Sequence, residues 1–222
     1  MENLSNIEEK FDCLDYIEIK LSINTDDYKV LELLSKDKIT EVRNRVAQLL
    51  ALYPTSSSES ILRNMLTDED NLVRANACDS LSFSSSLQTL ESLFKIIDSD
   101  KYLVRGYAIL SAADITLNMD DKQTLKMTID FLERRLLKEK CTWVNICCYR
   151  SLCILGVSYY YNNILDNLDN RLFRNRYLAL NCLSELINDE NRDITEAYVV
   201  RRLNKEKVAW VAEKIKKLLN QI

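Results

Sequence analysis

Apolar residues recur along this chain at spacings of three and four, broken every 10 to 20 residues by short polar turns. That is the period of amphipathic helices packed on one face. The pattern predicts six helix pairs: 26–36 with 40–53, 57–66 with 70–82, 85–97 with 101–115, 121–139 with 142–156, 159–168 with 171–187, and 191–203 with 206–220. A further segment at about 5–20, inside a leading stretch 1–25, is placed to cap the open end of the first pair.

The second helix of each pair aligns on its first apolar anchor: Val42, Val73, Val104, Val144, Phe173 and Val208. Four positions on stand Val46, Ala77, Ala108, Cys148, Tyr177 and Ala212. Positions i and i+4 share a helix face, so these rows predict where each second helix packs. The stripe is narrow, and no helix is expected to be buried all round.

Three of these helices open alike. LSKDKITEVRNRVA (34–47), LTDEDNLVRANA (66–77) and IDSDKYLVRGYA (97–108) each run through an acidic turn into Val-Arg-x-x-Ala, with anchors 31 residues apart. The acids of these turns, Asp37, Asp68, Asp70, Asp98 and Asp100, fall where a carboxylate caps free N–H groups at the positive end of a helix. The arginine after each anchor borders the apolar face and reaches a neighbouring turn. Later pairs drift: Phe173-Arg174 keeps an arginine, whereas Val144-Asn145 and Val208-Ala209 do not, and the anchor spacing becomes 40, 29 and 35.

Composition narrows the fold class. Two glycines (Gly106, Gly156) and one proline (Pro54) in 222 residues cannot supply the turns of a β-rich protein of this size. The fold is expected to be all-α. Tandem pairs of about 30 residues with an acidic turn and Val-Arg-x-x-Ala resemble HEAT repeats, most closely the short type of phycobilisome-lyase-related proteins. The resemblance implies a right-handed α-solenoid of about six antiparallel pairs, running as one array over 1–222. Three repeats over 26–115 are clear and three over 116–222 are degenerate. It also implies an Asp–Arg ladder joining successive repeats, with Arg43, Arg74 and Arg105 as its cations and Asp68 and Asp70 among its acids.

In such an array the second helices line the concave side. At 100° per residue, positions two, three and six after the anchor point away from the packing face. They give the candidate partner-binding track: Asn44, Arg45, Gln48, Asn76, Asp79, Tyr107, Leu110, Ile146, Arg150, Arg176 and Trp210. Ala75, Gly106, Asn175, Ala179 and Lys214 share those rows. A centre rich in apolar and small residues between polar ends is the layout of a protein or peptide groove. A slip of one position in the later register would instead bury Leu110 or Ile146.

The remaining chemistry is mostly negative. The chain has no histidine, which rules out Ser-His-Asp, Cys-His and His-ligated metal chemistry, and too few glycines for a phosphate loop. Its seven cysteines sit mostly at apolar helical positions with no C-x-x-C pair, so reduced buried thiols are expected, with no metal site and no cofactor. No window is apolar enough for a membrane span, and MENLSNIEEKFD lacks a signal layout, which suits a cytoplasmic protein. The net charge of −4 divides unevenly: residues 1–120 carry 12 Lys+Arg against 21 Asp+Glu (−9), and 121–222 carry 18 against 13 (+5).

The leading expectation is a non-enzymatic module that grips a protein partner, plausibly a basic one, on its concave face. A monomer is favoured. A sharper version is a bacterial immunity or antitoxin-type protein. A different class, the HEAT-like alkylpurine DNA glycosylases, would use Trp143, Trp210, Asp169, Arg174 and Arg176, but an acidic chain with a pI of about 5.1 repels phosphates and makes a nucleic-acid partner unlikely. A chaperone of the lyase type handling a chromophore protein also fits the resemblance.

Overall fold

The computed structural model describes residues 6–222, and among them every regular element is helical. Thirteen α-helices follow in order: α1 (Ile7–Glu18), α2 (Thr25–Leu34), α3 (Thr40–Leu50), α4 (Ser56–Met65), α5 (Asn71–Ser80), α6 (Leu87–Ser99), α7 (Tyr102–Met119), α8 (Lys122–Leu136), α9 (Thr142–Ile154), α10 (Tyr161–Asp166), α11 (Phe173–Leu186), α12 (Arg192–Leu203) and α13 (Ala209–Leu219). No described helix is long and apolar enough to cross a membrane. The chain divides into two compact units, one ending at Thr124 and the other running Leu125–Ile222.

In the first unit the second helices pack in sequence, α1 on α3, α3 on α5 and α5 on α7, and each of α3, α5 and α7 also packs on its own partner. The anchor rows are the core. Val42, Val46, Val73, Ala77, Val104, Ala108 and Ala112 are all fully buried. Each buried Val or Leu side chain contributes on the order of 1.5–3 kcal/mol.

Polar turns set the helix starts. Asn6 and Asn24 form capping boxes with Glu9 and Asp27, Thr55 caps α4, and Ser86 caps α6. Asp70 accepts from the backbone N–H groups of Leu72 and Val73, so this acid is a cap and not a rung.

The rungs are neighbouring acids. Arg43 donates Nε and Nη2 to Asp68 at 2.7 and 2.9 Å, and Nη1 to the Asp37 carbonyl at 2.8 Å. Arg74 repeats the geometry on Asp100 (2.7 and 2.7 Å) and on the Asp68 carbonyl (2.7 Å). Each arginine thus clamps the turn before its own helix and reaches the carboxylate of the next turn. Arg105 holds the Asp100 carbonyl at 2.7 Å. Lys10 of α1 reaches Asp37 at 2.6 Å, so α1 contacts the first pair as a preceding second helix would.

In the second unit α9 packs on α11 and α11 on α13, while α12 pairs with α13. The partner of α11 is short. Helix α10 has six residues, flanked by 3₁₀ turns at Ser158–Tyr160 and Asn167–Asp169. Before it, α9 ends on Gly156 at φ +95°, with Gly156 N–H bonded to the Cys153 carbonyl and Val157 N–H to the Leu152 carbonyl. That paired closure requires a left-handed residue, which glycine adopts without a Cβ penalty.

Two anchors expected from sequence are displaced here. Phe173 is 37% exposed, and the buried row of α11 is instead Asn175, Ala179, Cys182 and Leu183. On α13 the buried row is Val211, Ile215 and Leu218, three positions beyond Val208. The ladder confirms the corrected register of α11. Arg176 donates to both Glu206 oxygens at 2.7 Å and to the Asn170 carbonyl, six residues back, at 2.9 Å. Arg43 and Arg74 stand in the same relation to Asp37 and Asp68. On α9 the rung position holds Asn145, whose Oδ1 is buried without a hydrogen-bond partner.

Candidate functional site

Within each unit, the positions of the second helices that stay clear of the core form an open face. In the first unit its floor is laid by helix-to-helix contacts. Asn76 Nδ2 donates to Asn44 Oδ1 at 2.9 Å, joining α5 to α3. Arg45 reaches back from α3 to Asp15 of α1 at 3.1 Å and also contacts Glu18. Asn44, Arg45, Asn76, Tyr107 and Leu110 are half-buried, while Gln48 and Asp79 are exposed. In the first unit the expected track is thus partly solvent-facing and partly taken up by contacts between helices.

One row of that face was missed from sequence. The residue before the anchor lies at −100°, only 20° from the position six after it. In the first unit that row is Glu41, Leu72 and Leu103; Leu72 is 51% exposed. Positions ten after the anchor add Leu52, which is 56% exposed, with Phe83 and Asp114 half-buried.

The electrostatics of this face are one-sided. Burial among neighbouring groups and the Asp114 charge both push the Asp79 carboxyl above its ordinary value. Asp79 forms no ion pair among the described residues. By contrast, the ladder holds its acids down: the Arg74 hydrogen bonds outweigh burial and lower Asp100. The ladder acids Asp68 and Asp100 are each held by an arginine of the preceding second helix.

In the second unit the outcome is mixed. Arg150 is half-buried and bonds Glu185 of α11 through Nε at 2.9 Å. Trp210 is 47% exposed and packs edge-on against Phe173 (centroids 5.2 Å apart) and Tyr177 (4.8 Å). Arg174 lies over the Phe173 ring. Two candidates fall away. Ile146 is fully buried in a cluster with Ile164, Leu165 and Leu180, because α9 is apolar on several sides. Arg176 is buried as a ladder rung on Glu206.

Little reactive chemistry surrounds these faces. Desolvation drives up the buried Cys182 thiol to about 12 and the half-buried Cys153 thiol to about 11, which keeps both protonated and poorly nucleophilic. Among the described residues no group of three or more Cys, Asp or Glu side chains is placed to hold a metal ion. Two recesses lie away from the open faces. One of about 410 Å³ sits beside Asp37, Arg43 and Asp68 of the ladder. Another of about 510 Å³ lies between Glu133, Leu137 and Tyr159, where the Tyr159 hydroxyl donates to Glu133 at 2.8 Å.

Comparison with known proteins agrees with this geometry. Residues 29–114 match the family of HEAT repeats. No curated protein matches the sequence. Among solved structures, the chain resembles one from the complex of CpcE and CpcF of phycocyanin lyase from Nostoc sp. PCC7120. The two are 15% identical over 99% of this chain and 91% of that one, with a TM-score of 0.65. Human deoxyhypusine hydroxylase, solved with glycerol, is 12% identical over 97% and 90% of the two chains, with a TM-score of 0.47. The first of these similarities establishes an all-helical, HEAT-like fold.

Proposed function

We propose that this chain of HEAT-like repeats is a non-enzymatic binding module that holds a partner protein on the open faces of its second helices. The observation that carries the reading is a contrast within one set of helices. The anchor rows are buried and the rungs Arg43, Arg74 and Arg176 are paired, whereas the rows through Leu72, Asp79, Leu110 and Trp210 leave apolar and charged groups exposed or half-buried. Exposed apolar side chains interspersed with polar and charged ones are the anatomy of an interface. The structural relative is itself described as part of a two-protein complex, which suits the same reading.

A pull-down with the full chain as bait tests this. Tyr107→Ala with Leu110→Glu, and separately Trp210→Ala, are expected to lose a retained protein while leaving the melting temperature within a few degrees. Retention unchanged by both sets, or no protein retained, sinks the proposal. A collapsed fold on Leu110→Glu shows that Leu110 is core.

An immunity or antitoxin-type role is the sharper second reading, favoured by the −9 balance over residues 1–120. The DNA glycosylase alternative gains nothing from the geometry. Asp169, its candidate acid, is paired with Arg201 at 2.7 Å, and Arg176 is committed to Glu206.

A further inference from the structure

We infer that the end of the second unit where α11 and α13 begin takes an acidic segment of a partner protein, one that carries a large apolar side chain. The inference rests on the binding-module reading and adds the partner's chemistry and the unit that holds it.

The apolar part is built by two packed helices. Helix α11 lies against α13, and their opening turns bring Phe173 and Tyr177 against Trp210, with ring centroids 5.2 and 4.8 Å away. The cluster is not covered. Trp210 is 47% exposed, Phe173 37% and its chain neighbour Leu172 62%. Large apolar side chains gathered at solvent in adjoining turns mark a contact surface.

The charge around this cluster has one sign. Arg176 joins the turn before α11 to the turn before α13: it holds the Asn170 and Arg171 carbonyls at 2.9 and 3.1 Å and both Glu206 oxygens at 2.7 Å. The acids of these two turns are spent inside the fold, Glu206 on Arg176 and Arg202, and Asp169 on Arg201. Glu213 of α13 is taken by Lys217. The cations are not spent. Arg171, Lys205 and Lys207 are exposed on the two turns, Arg174 is exposed on α11, and Lys214 is half-buried one turn beyond Trp210. None of these five forms an ion pair among the described residues. Arg174 lies over the Phe173 ring instead, 5.8 Å from its centroid. Residues 121–222 together carry +5, so the surroundings do not cancel the excess.

Both parts of this chemistry select the occupant. Carboxylates meet cations that have no internal partner, and an apolar side chain covers Leu172 and the open parts of the rings. A single-stranded nucleic acid matches the charge but not the rings. Its bases need open ring faces to stack on, whereas these rings meet edge to face, at 84° and 62°. A basic partner meets repulsion.

The test uses the full chain and four fluorescein-labelled probes, read by fluorescence anisotropy at low and moderate salt. The first is a short peptide with phenylalanine and leucine among aspartates and glutamates. The second replaces its phenylalanine and leucine with serine, and the third replaces its acids with lysine. The fourth is an oligothymidine of the same length.

The acidic apolar peptide is expected to bind, to weaken as salt rises, and to lose about tenfold or more in affinity with Arg171→Glu plus Lys207→Glu. Both side chains are exposed and enter no ion pair, so this double variant keeps the fold. Leu172→Ser, at another exposed position, is expected to cost several-fold, and Leu72→Ser in the first unit to leave the affinity unchanged. Equal binding of the serine or lysine peptide overturns the inference, and so does equal or tighter binding of the oligothymidine. Affinity unchanged by Arg171→Glu plus Lys207→Glu, or lowered as much by Leu72→Ser as by Leu172→Ser, overturns it too. If no peptide binds, the inference fails, and the pull-down decides the wider reading. There, a retained protein lost on Tyr107→Ala with Leu110→Glu but kept by Arg171→Glu plus Lys207→Glu upholds the binding module and places its partner on the first unit.

Discussion

Glu206 shows what a ladder contact is worth to a single residue. Burial raises its carboxyl, but the hydrogen bonds from Arg176, the Val208 N–H and Arg202 more than offset that and hold it at about 2, against an ordinary 4.5. A folded value below the unfolded one stabilises the protein above the unfolded value and is lost as pH falls through the folded one. Stability should therefore fall between about pH 4.5 and 2, by on the order of 3 kcal/mol from this group. Glu206→Gln should flatten that limb in acid melts and lower the midpoint at pH 7, because Arg176 keeps a buried charge without its counter-ion. An unchanged acid limb would refute the assignment. Asp79 has the opposite sign. Its carboxyl is raised, so its charged form is disfavoured by folding at neutral pH. Asp79→Asn should raise the melting temperature slightly at pH 7, by well under about 1 kcal/mol for so exposed a group, and not at pH 3. A loss of stability at pH 7 would show that the charge serves the fold and not a partner.

Helices were the most legible scale in the sequence. All six pairs lie within a few residues of the ranges set by apolar period and polar turns, because core-facing rows must recur at 3.6 residues whatever their identity. What misled was the assumption that the first apolar residue of a helix is its anchor. In α11 the anchor is the polar Asn175, which bonds Asn170 at 3.1 Å, and the aromatic Phe173 stays outside. A better signal was present: an arginine six residues after a turn acid or amide, which Asp37–Arg43, Asp68–Arg74 and Asn170–Arg176 share. The open face was half legible, since exposed rows follow from geometry, but Ile146 shows that an outward angle means little when a helix is covered on several sides.

The same rule singles out α9, where Asn145 occupies the rung position and leaves Oδ1 unsatisfied. A buried acceptor without a donor costs about 1–3 kcal/mol. Asn145→Arg removes that acceptor and puts a guanidinium at the position from which Arg43, Arg74 and Arg176 each hold the carbonyl six residues back. The melting temperature should rise by about 2–4 °C. A fall would mean that α9 has no room for a guanidinium and that the rung was given up for packing.

Across the whole molecule, stability should follow the rungs and the buried rows. Repeat arrays divide their stability between each repeat and its nearest neighbours, so a weak pair opens without unfolding the rest. The pair built on α10 is the weak one. Its first helix has six residues between two 3₁₀ turns, where hydrogen-bond geometry is poorer, and the rung expected on α9 is missing. Against this, α5 and α7 carry fully buried anchor rows, and Arg74 and Arg105 are both engaged. Native-state hydrogen exchange should therefore find the amides of 158–170 exchanging well before those of α5 and α7. Asn145→Arg should slow that early-exchanging segment and leave α5 unchanged. If 158–170 and α5 exchange together in both proteins, the chain opens as one cooperative block, and the ladder does not divide its stability.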